Sequence, residues 1–278
     1  MGCGITGYSR RKEALPEGKG MVQKHRMTSE QARALKWIFT DLDGTLLSGE
    51  KKILKRTLDA LLACRAAGIR LAFATGRNFV TAGSYREILQ PEGCVLAYGA
   101  QLFYGERRED HPLRKESLMR IAGQAAGCSR VDFWYRDGTS LEMHSPDRET
   151  LEKAALDAPD TLSVACWGMP VSRVLETEIR SSATATHYVG DIWVNFCTAG
   201  RNKEQGVRDL LAAFGCRKGE AVGFGDEDCD LGIFRPCGFG VAMGNADGAT
   251  RDGADWITES NDADGIAVFL EEQVLPYR

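Results

Sequence analysis

The segment Ile38-Phe39-Thr40-Asp41-Leu42-Asp43-Gly44-Thr45 runs an apolar stretch into two carboxylates and then into a turn pair. The apolar stretch reads as a buried strand, and Gly44-Thr45 stops it. Residues two apart in an extended chain project to the same side, so Asp41 and Asp43 meet just past the strand's carboxyl end. Two anions at close range resist joint ionisation unless a cation or a shared proton compensates. A metal-assisted carboxylate site is the natural consequence, although Asp-Leu-Asp-Gly taken alone is no more than a turn. The decision rests on whether partners for the pair occur downstream.

The rhythm that follows is strand and helix in alternation. Leu54, Leu58, Leu61 and Leu62 share one helical face, with Gly68 where a C-terminal cap belongs. Residues 69–74 form a short strand ending in Thr75-Gly76-Arg77; a helix over 79–89 and a strand over 94–98 come next. This spacing predicts βαβ units around a parallel sheet. From 103 to 188 the pattern changes to strands at 131–135, 139–143 and 161–167, helices at 147–156 and 171–179, and an extended run through His187. That is an α+β insert with an open antiparallel sheet and helices on one face. Phe133, Trp134, Tyr135 and Trp167 belong to its core by default, with one or two able to face a substrate. The doubly wound rhythm resumes after 191–196, with a helical stripe of Val207, Leu210, Leu211 and Phe214, strands at 221–224, 238–242 and 256–258, and a closing helix over 264–274. The expected organisation is an α/β core from 36–102 and 189–278, an insert at 103–188, and a flexible basic tail over 1–35 carrying at most a short helix near 29–35.

Composition narrows the partners. A formal net charge of −4 argues against nucleic acid or an anionic membrane, leaving a small substrate. Nine cysteines, an odd number with no C-x-x-C pair and no secretory h-region before them, point to a reducing, cytoplasmic setting. No apolar run reaches the length of a membrane span. Two short patterns in the tail carry little weight. Met1-Gly2 with Thr6 fits a myristoylation signal too short to decide anything. Cys3-Gly4-Ile5-Thr6 resembles the opening of class II glutamine amidotransferases, but Gly2 precedes the cysteine whose own amino group that chemistry needs.

Four stretches fall at strand or helix ends, where open parallel sheets build their sites. Besides Asp41 to Thr45, they are Thr75-Gly76-Arg77, which offers a hydroxyl and free backbone to phosphate oxygens; Lys203 at a helix start, which favours an anion; and Gly225-Asp226-Glu227-Asp228-Cys229-Asp230, which suits a hard cation. Singly these are a loop tripeptide, a surface lysine and an acidic turn. In this order they resemble the four motifs of the haloacid dehalogenase (HAD) superfamily of phosphohydrolases. Val241-Ala242-Met243-Gly244-Asn245-Ala246 and the closing 254–267 segment look like its Cof-type branch, whose C2 cap lies where the insert falls.

That resemblance implies a Rossmann-like core and a Mg²⁺-dependent phosphomonoester hydrolase acting on a small phosphorylated metabolite such as a sugar phosphate or phosphorylated cofactor. Asp41 would be the nucleophile, and Asp43 the acid/base, with a pKa raised relative to Asp41. Lys203 would balance charge. Thr75, Gly76, Gly44 and Asn245 would meet the phosphoryl group, and Arg77 the leaving group. Asp41, the Asp43 carbonyl, Asp226 and Asp230 would hold the metal. Cys229 and Tyr98 stand where relatives commonly carry Asn, with Asp228 a partial substitute for the first. The alternatives are a phosphomutase of the same superfamily, for which Arg173 and Arg180 could supply a second anion site, and a non-catalytic binding relative.

Overall fold

The structure is a computed structural model that describes residues 25–180, 183–189 and 193–278. The tail motifs at Gly2, Cys3 and Thr6 lie outside the described residues, as do Asp191 and the Arg180 side chain. The end of the expected tail is packed. Thr28 caps α1 (Ser29–Ala34) in a reciprocal pair with Gln31, and Met27, Ala32 and Leu35 are buried in the core, because their apolar spacing gives the short helix one inward face.

Two sheets organise the rest. The first uses β1 (Trp37–Thr40), α2 (Lys55–Ala66), β2 (Arg70–Ala74), α3 (Gly83–Leu89), β3 (Gly93–Leu96), β4 (Gln101–Tyr104) and β5 (Arg107–Asp110). Next come α4 (Lys115–Ala125), β6 (Arg130–Tyr135), β7 (Ser140–His144), α5 (Arg148–Asp157), β8 (Thr161–Trp167), α6 (Val171–Arg180), β9 (Ala183–Val189) and β10 (Trp193–Thr198). The chain then returns through α7 (Lys203–Ala213), β11 (Ala221–Gly225), α8 (Leu231–Cys237), β12 (Gly240–Ala242), α9 (Gly248–Gly253), β13 (Trp256–Ile257) and α10 (Gly265–Phe269).

The large sheet has the order β13-β12-β11-β1-β2-β3-β4-β5, parallel from β13 to β3. β1 is its switch point: the chain builds outward through β2 and β3 on one side and later through β11, β12 and β13 on the other. Both faces of β1 are covered, Ile38 in one apolar cluster and Trp37 and Phe39 in another, which is why the whole strand is buried rather than alternating. The small sheet, β7-β6-β8-β10-β9, is antiparallel throughout.

The sheets divide the chain differently from the boundaries expected at 102/103 and 188/189. β4 and β5 extend the large sheet, because β4 pairs antiparallel with β3 through Leu102 opposite Val95. β10 belongs to the small sheet, pairing Trp193 with Trp167 of β8, rather than opening the returning core. Helix α3 begins at Gly83 rather than near 79, because the Asn78 carboxamide oxygen accepts from the N–H groups of Val80 and Thr81 and holds a turn there. The strand expected over 94–98 stops at Leu96, where Ala97 and Tyr98 take positive φ of 48° and 54°.

Candidate active site

The carboxyl ends of β1 and β11 lie side by side at the switch point, bringing Asp41 next to Asp226. Thr40 and Phe224 are register partners, and the Asp41 N–H donates to the Phe224 carbonyl, so the ladder fixes where Asp41 starts. Gly44 makes the approach of the two loops possible. Its φ is +80°, and a Cβ there would lie 2.2 Å from Asp226 Oδ2. Thr45 Oγ1 donates to Asp226 Oδ1 at 2.7 Å.

Lys203 opens α7 just after Asn202, whose side chain caps the helix. Its ammonium is buried and donates to Asp41 Oδ1 at 2.9 Å and to Asp230 Oδ1 at 2.6 Å. The other Asp230 oxygen accepts from the N–H groups of Asp226 and Glu227, which locks the acidic loop. Oxygens of Asp41, Asp226 and Asp230 all come within 4.8 Å of one another, the spacing a single metal ion could bridge. Burial pushes Asp41 up to about 8, reinforced by Asp230 and Asp226 and opposed by Lys203. Burial likewise raises Asp226 to about 7, against the hydrogen bond from Thr45. Burial also works against the charge of Lys203, but Asp230 and Asp41 outweigh it and hold its pKa well above the usual lysine value. The cluster therefore has more negative charge than its lysine can balance.

Asp43 departs from expectation. Burial raises its pKa, but Arg77 and Lys51 outweigh burial and hold the carboxyl down at about 2, so it lies far below Asp41 rather than above it. Arg77 grips it with two bonds, Nε to Oδ2 at 2.6 Å and Nη2 to Oδ1 at 2.8 Å, and Lys51 adds a third at 2.7 Å. Arg77 thus meets Asp43 directly, while also facing the Tyr85 ring at 5.0 Å.

These residues form the floor of a cavity of about 460 Å³ between the two sheets, lined by Asp41, Asp43, Thr75, Gly76, Arg77 and Lys203 among others. Thr75 is buried, and its hydroxyl oxygen accepts from the Arg77 N–H, leaving its proton to donate. Gly76 is required by Tyr98, since a Cβ at 76 would lie 2.4 Å from that ring. Gly44 and Asn245, expected to touch substrate, are not among the residues that line it. Asn245 Nδ2 donates to the Gly44 carbonyl at 2.8 Å and its oxygen accepts from the Asn261 N–H, so it braces the loop that carries Asp43. Cys229 does line the cavity; the Asp228 N–H is held by Asp247.

The roof comes from the small sheet. Val131, Phe133, Val164, Cys166, Val194 and Phe196 pack under α4, α5 and α6, so their alternating neighbours face the cavity, including Trp134, Trp167 and Trp193. Only the first two of these tryptophans fell within the expected insert. The signal for the third is the period-two pattern of Trp193-Val194-Asn195-Phe196. The roof is pinned to the floor: Arg136 Nε pairs with Asp110 at 2.8 Å, and Asn78 Nδ2 donates to the Gly138 carbonyl at 3.4 Å. Arg173, considered for a second anion site, donates instead to the carbonyls of Gln124 and Ala126.

A sheet parallel from β13 to β3, with an acidic cluster at its switch point under a second, antiparallel sheet, defines an α/β core carrying an inserted α+β domain over its site. The chain belongs to the haloacid dehalogenase-like hydrolases, whose family model matches residues 38–155 and 173–270. It is similar to Phosphoglycolate phosphatase 1 of Saccharolobus solfataricus, 27% identical over 243 residues that cover 86% of this chain and 95% of the relative. The pyridoxal phosphate phosphatase YbhA of Escherichia coli is 22% identical over 279 residues, covering 86% of this chain and 98% of the relative. Among solved structures, the phosphatase BT1666 of Bacteroides thetaiotaomicron shares the fold with a TM-score of 0.76 at 19% identity, over 96% of this chain and 100% of its own. The chain is a phosphatase of this family, Cof-type in its motifs, and the family together with the carboxylate cluster supports a bound metal.

Proposed function

We propose that the protein is a Mg²⁺-dependent phosphomonoester hydrolase that works on a small phosphorylated metabolite through an aspartyl-phosphate on Asp41. One observation carries the reading: a single buried ammonium, Lys203 Nζ, lies 2.9 Å from Asp41 and 2.6 Å from Asp230, with Asp226 completing the carboxylate cluster. Three carboxyl groups stand against one ammonium, an acidic excess that a divalent cation would offset, and an all-oxygen donor set suits Mg²⁺. Asp41, Asp226 and Asp230 would hold that ion, which when bound screens the repulsion between an attacking carboxylate and a phosphate dianion.

The rest is the work of this chain's own groups. An Asp41 oxygen bonds to phosphorus as the ester P–O bond breaks, and the departing oxygen takes a proton from Asp43. A water then attacks phosphorus, Asp43 accepts its proton, and the bond to Asp41 breaks to give phosphate. Lys203 holds Asp41 in place, and the Thr75 hydroxyl donates to a phosphoryl oxygen. As a carboxylate tied to Arg77 and Lys51, Asp43 has no proton to give. The mechanism therefore requires the incoming phosphate, a stronger ligand for both cations, to draw them off and let Asp43 take up its proton.

Relatives named for phosphoglycolate, pyridoxal phosphate and 5-amino-6-(5-phospho-D-ribitylamino)uracil support a shared phosphate end with a variable remainder. The division of labour we infer is a core that does the chemistry and a small-sheet domain that covers it. The cysteines are free thiols at all eight described positions, which supports a cytoplasmic setting. The test is phosphate release from a panel of phosphomonoesters with and without Mg²⁺. Chelation and Asp41→Asn should each reduce the rate by at least roughly a thousandfold. Equal rates in wild type and variant would overturn the reading.

A further inference from the structure

We propose that the cavity face of the small sheet is a ring-binding subsite and that the leaving group of the natural substrate carries a planar aromatic ring; the proposal rests on the hydrolase reading above. Trp134, Trp167 and Trp193 come from three adjacent strands and are half-buried at the cavity wall, on the face turned away from the helices. Trp167 and Trp193 stand 6.0 Å apart between ring centroids at 58°, and Trp193 and Tyr98 stand 6.1 Å apart at 51°. Tyr98 is in turn 5.9 Å from Lys203 Nζ. A continuous aromatic wall thus leads from the phosphate end of the cavity up to Trp167.

The polar residues between those rings add little surface for a sugar to read. Asp132, Ser163 and Asn195 also line the cavity but are only 1%, 4% and 2% exposed, so the half-buried rings make up most of this wall. A polyol laid against this wall would find few partners for its hydroxyl groups, which is unfavourable, whereas a flat ring stacks on it with none to satisfy. The wall offers no second anion site either. Arg130, 4.6 Å over the Trp167 ring, is held by Asp132 at 2.5 Å and Glu142 at 2.5 Å, so one cation stands against two carboxylates. Arg130 is thus already paired and is not free to take a second phosphate.

Calorimetric titration of Asp41→Asn in the presence of Mg²⁺ separates binding from turnover. The probes are phenyl phosphate, cyclohexyl phosphate, glucose 6-phosphate, glycerol 3-phosphate and fructose 1,6-bisphosphate. Phenyl phosphate should bind about tenfold more tightly than glycerol 3-phosphate and more tightly than its puckered cyclohexyl analogue, as stacking on aromatic side chains predicts. Trp167→Leu and Trp193→Leu should bring the phenyl-to-glycerol ratio toward one, and Trp167→Phe should restore part of it, with far-UV circular dichroism confirming the fold of each. Tighter binding of glucose 6-phosphate or the bisphosphate, equal affinity across the panel, or a phenyl preference that survives both leucine variants overturns the subsite. A wild-type enzyme that releases phosphate from none of the five while its Asp41→Asn form keeps the phenyl preference sinks the hydrolase reading and supports the subsite.

Discussion

Removing the metal should make the stability of this protein fall as pH rises through neutrality. Burial raises Asp41 from 3.8 to about 8 and Asp226 from 3.8 to about 7 in the folded chain. A carboxyl whose folded pKa exceeds its unfolded pKa binds more protons when folded, so its contribution is full below the unfolded value and is lost as pH climbs toward the folded one. At about 1.4 kcal/mol per pH unit for each group, the loss between about pH 5.5 and 7.5 is bounded near 5 kcal/mol. Relaxation of the site and water entry roughly halve such a bound, leaving about 2–3 kcal/mol, or about 5–10 °C in melting temperature for a chain of this size. Mg²⁺ favours the ionised carboxylates and should flatten the fall. Asp43 and Glu220, both lowered to about 2, do not interfere, because stability gained from a depressed carboxyl is lost only at acid pH. The assay is thermal and urea unfolding at both pH values, with chelator and with Mg²⁺, on wild type and Asp226→Asn. The variant should show a shallower pH dependence. Apo and Mg²⁺ curves that run parallel, or an apo stability that rises with pH, would refute the claim that the cluster is short of positive charge.

Gly44→Ala forces a side chain into a left-handed backbone at φ +80° and a Cβ to 2.2 Å from Asp226 Oδ2; it should destabilise by at least about 1–2 kcal/mol in urea unfolding and abolish measurable phosphate release. Arg77→Ala removes two of the three hydrogen bonds that hold Asp43 near 2, so carboxyl NMR titration should find the Asp43 pKa moved up toward the ordinary aspartate range; an unmoved pKa would assign the depression to Lys51 alone. Gly138 sits at φ +92° on the hairpin between β6 and β7, and a Cβ there would lie 2.1 Å from Val80 Cγ2. Gly138→Ala should therefore keep the roof from seating, raising KM by roughly tenfold with a smaller change in kcat, as expected when a closing element rather than a reacting group is disturbed.

The parts of the site that sequence reading reaches are those fixed by where a strand or helix ends. Asp41 and Asp226 follow short apolar strands, and Lys203 follows a capping Asn, so each is placed by local pattern before any packing is known. What local pattern does not carry is the reach of a long side chain or the choice of strand neighbour. Arg77 was visible as a loop residue, but its grip on Asp43, across 34 positions of sequence, appears only when β1 and β2 are laid side by side. The alternation in 193–196 is as good for a core strand as for one in the small sheet, and pairing with β8 decides it. Tyr98 shows how two such limits combine. A tyrosine at φ 54° occupies a backbone region that Asn enters more readily, and Asn is the residue that the resemblance read from sequence leads one to expect there. Its ring is accommodated where Gly76 leaves room, since any Cβ at 76 would strike it, and it then stands 6.1 Å from Trp193. The glycine in Thr-Gly-Arg, read from sequence as freedom for a phosphate loop, is thus also the space in which this chain puts an aromatic ring, and that ring becomes part of the cavity wall.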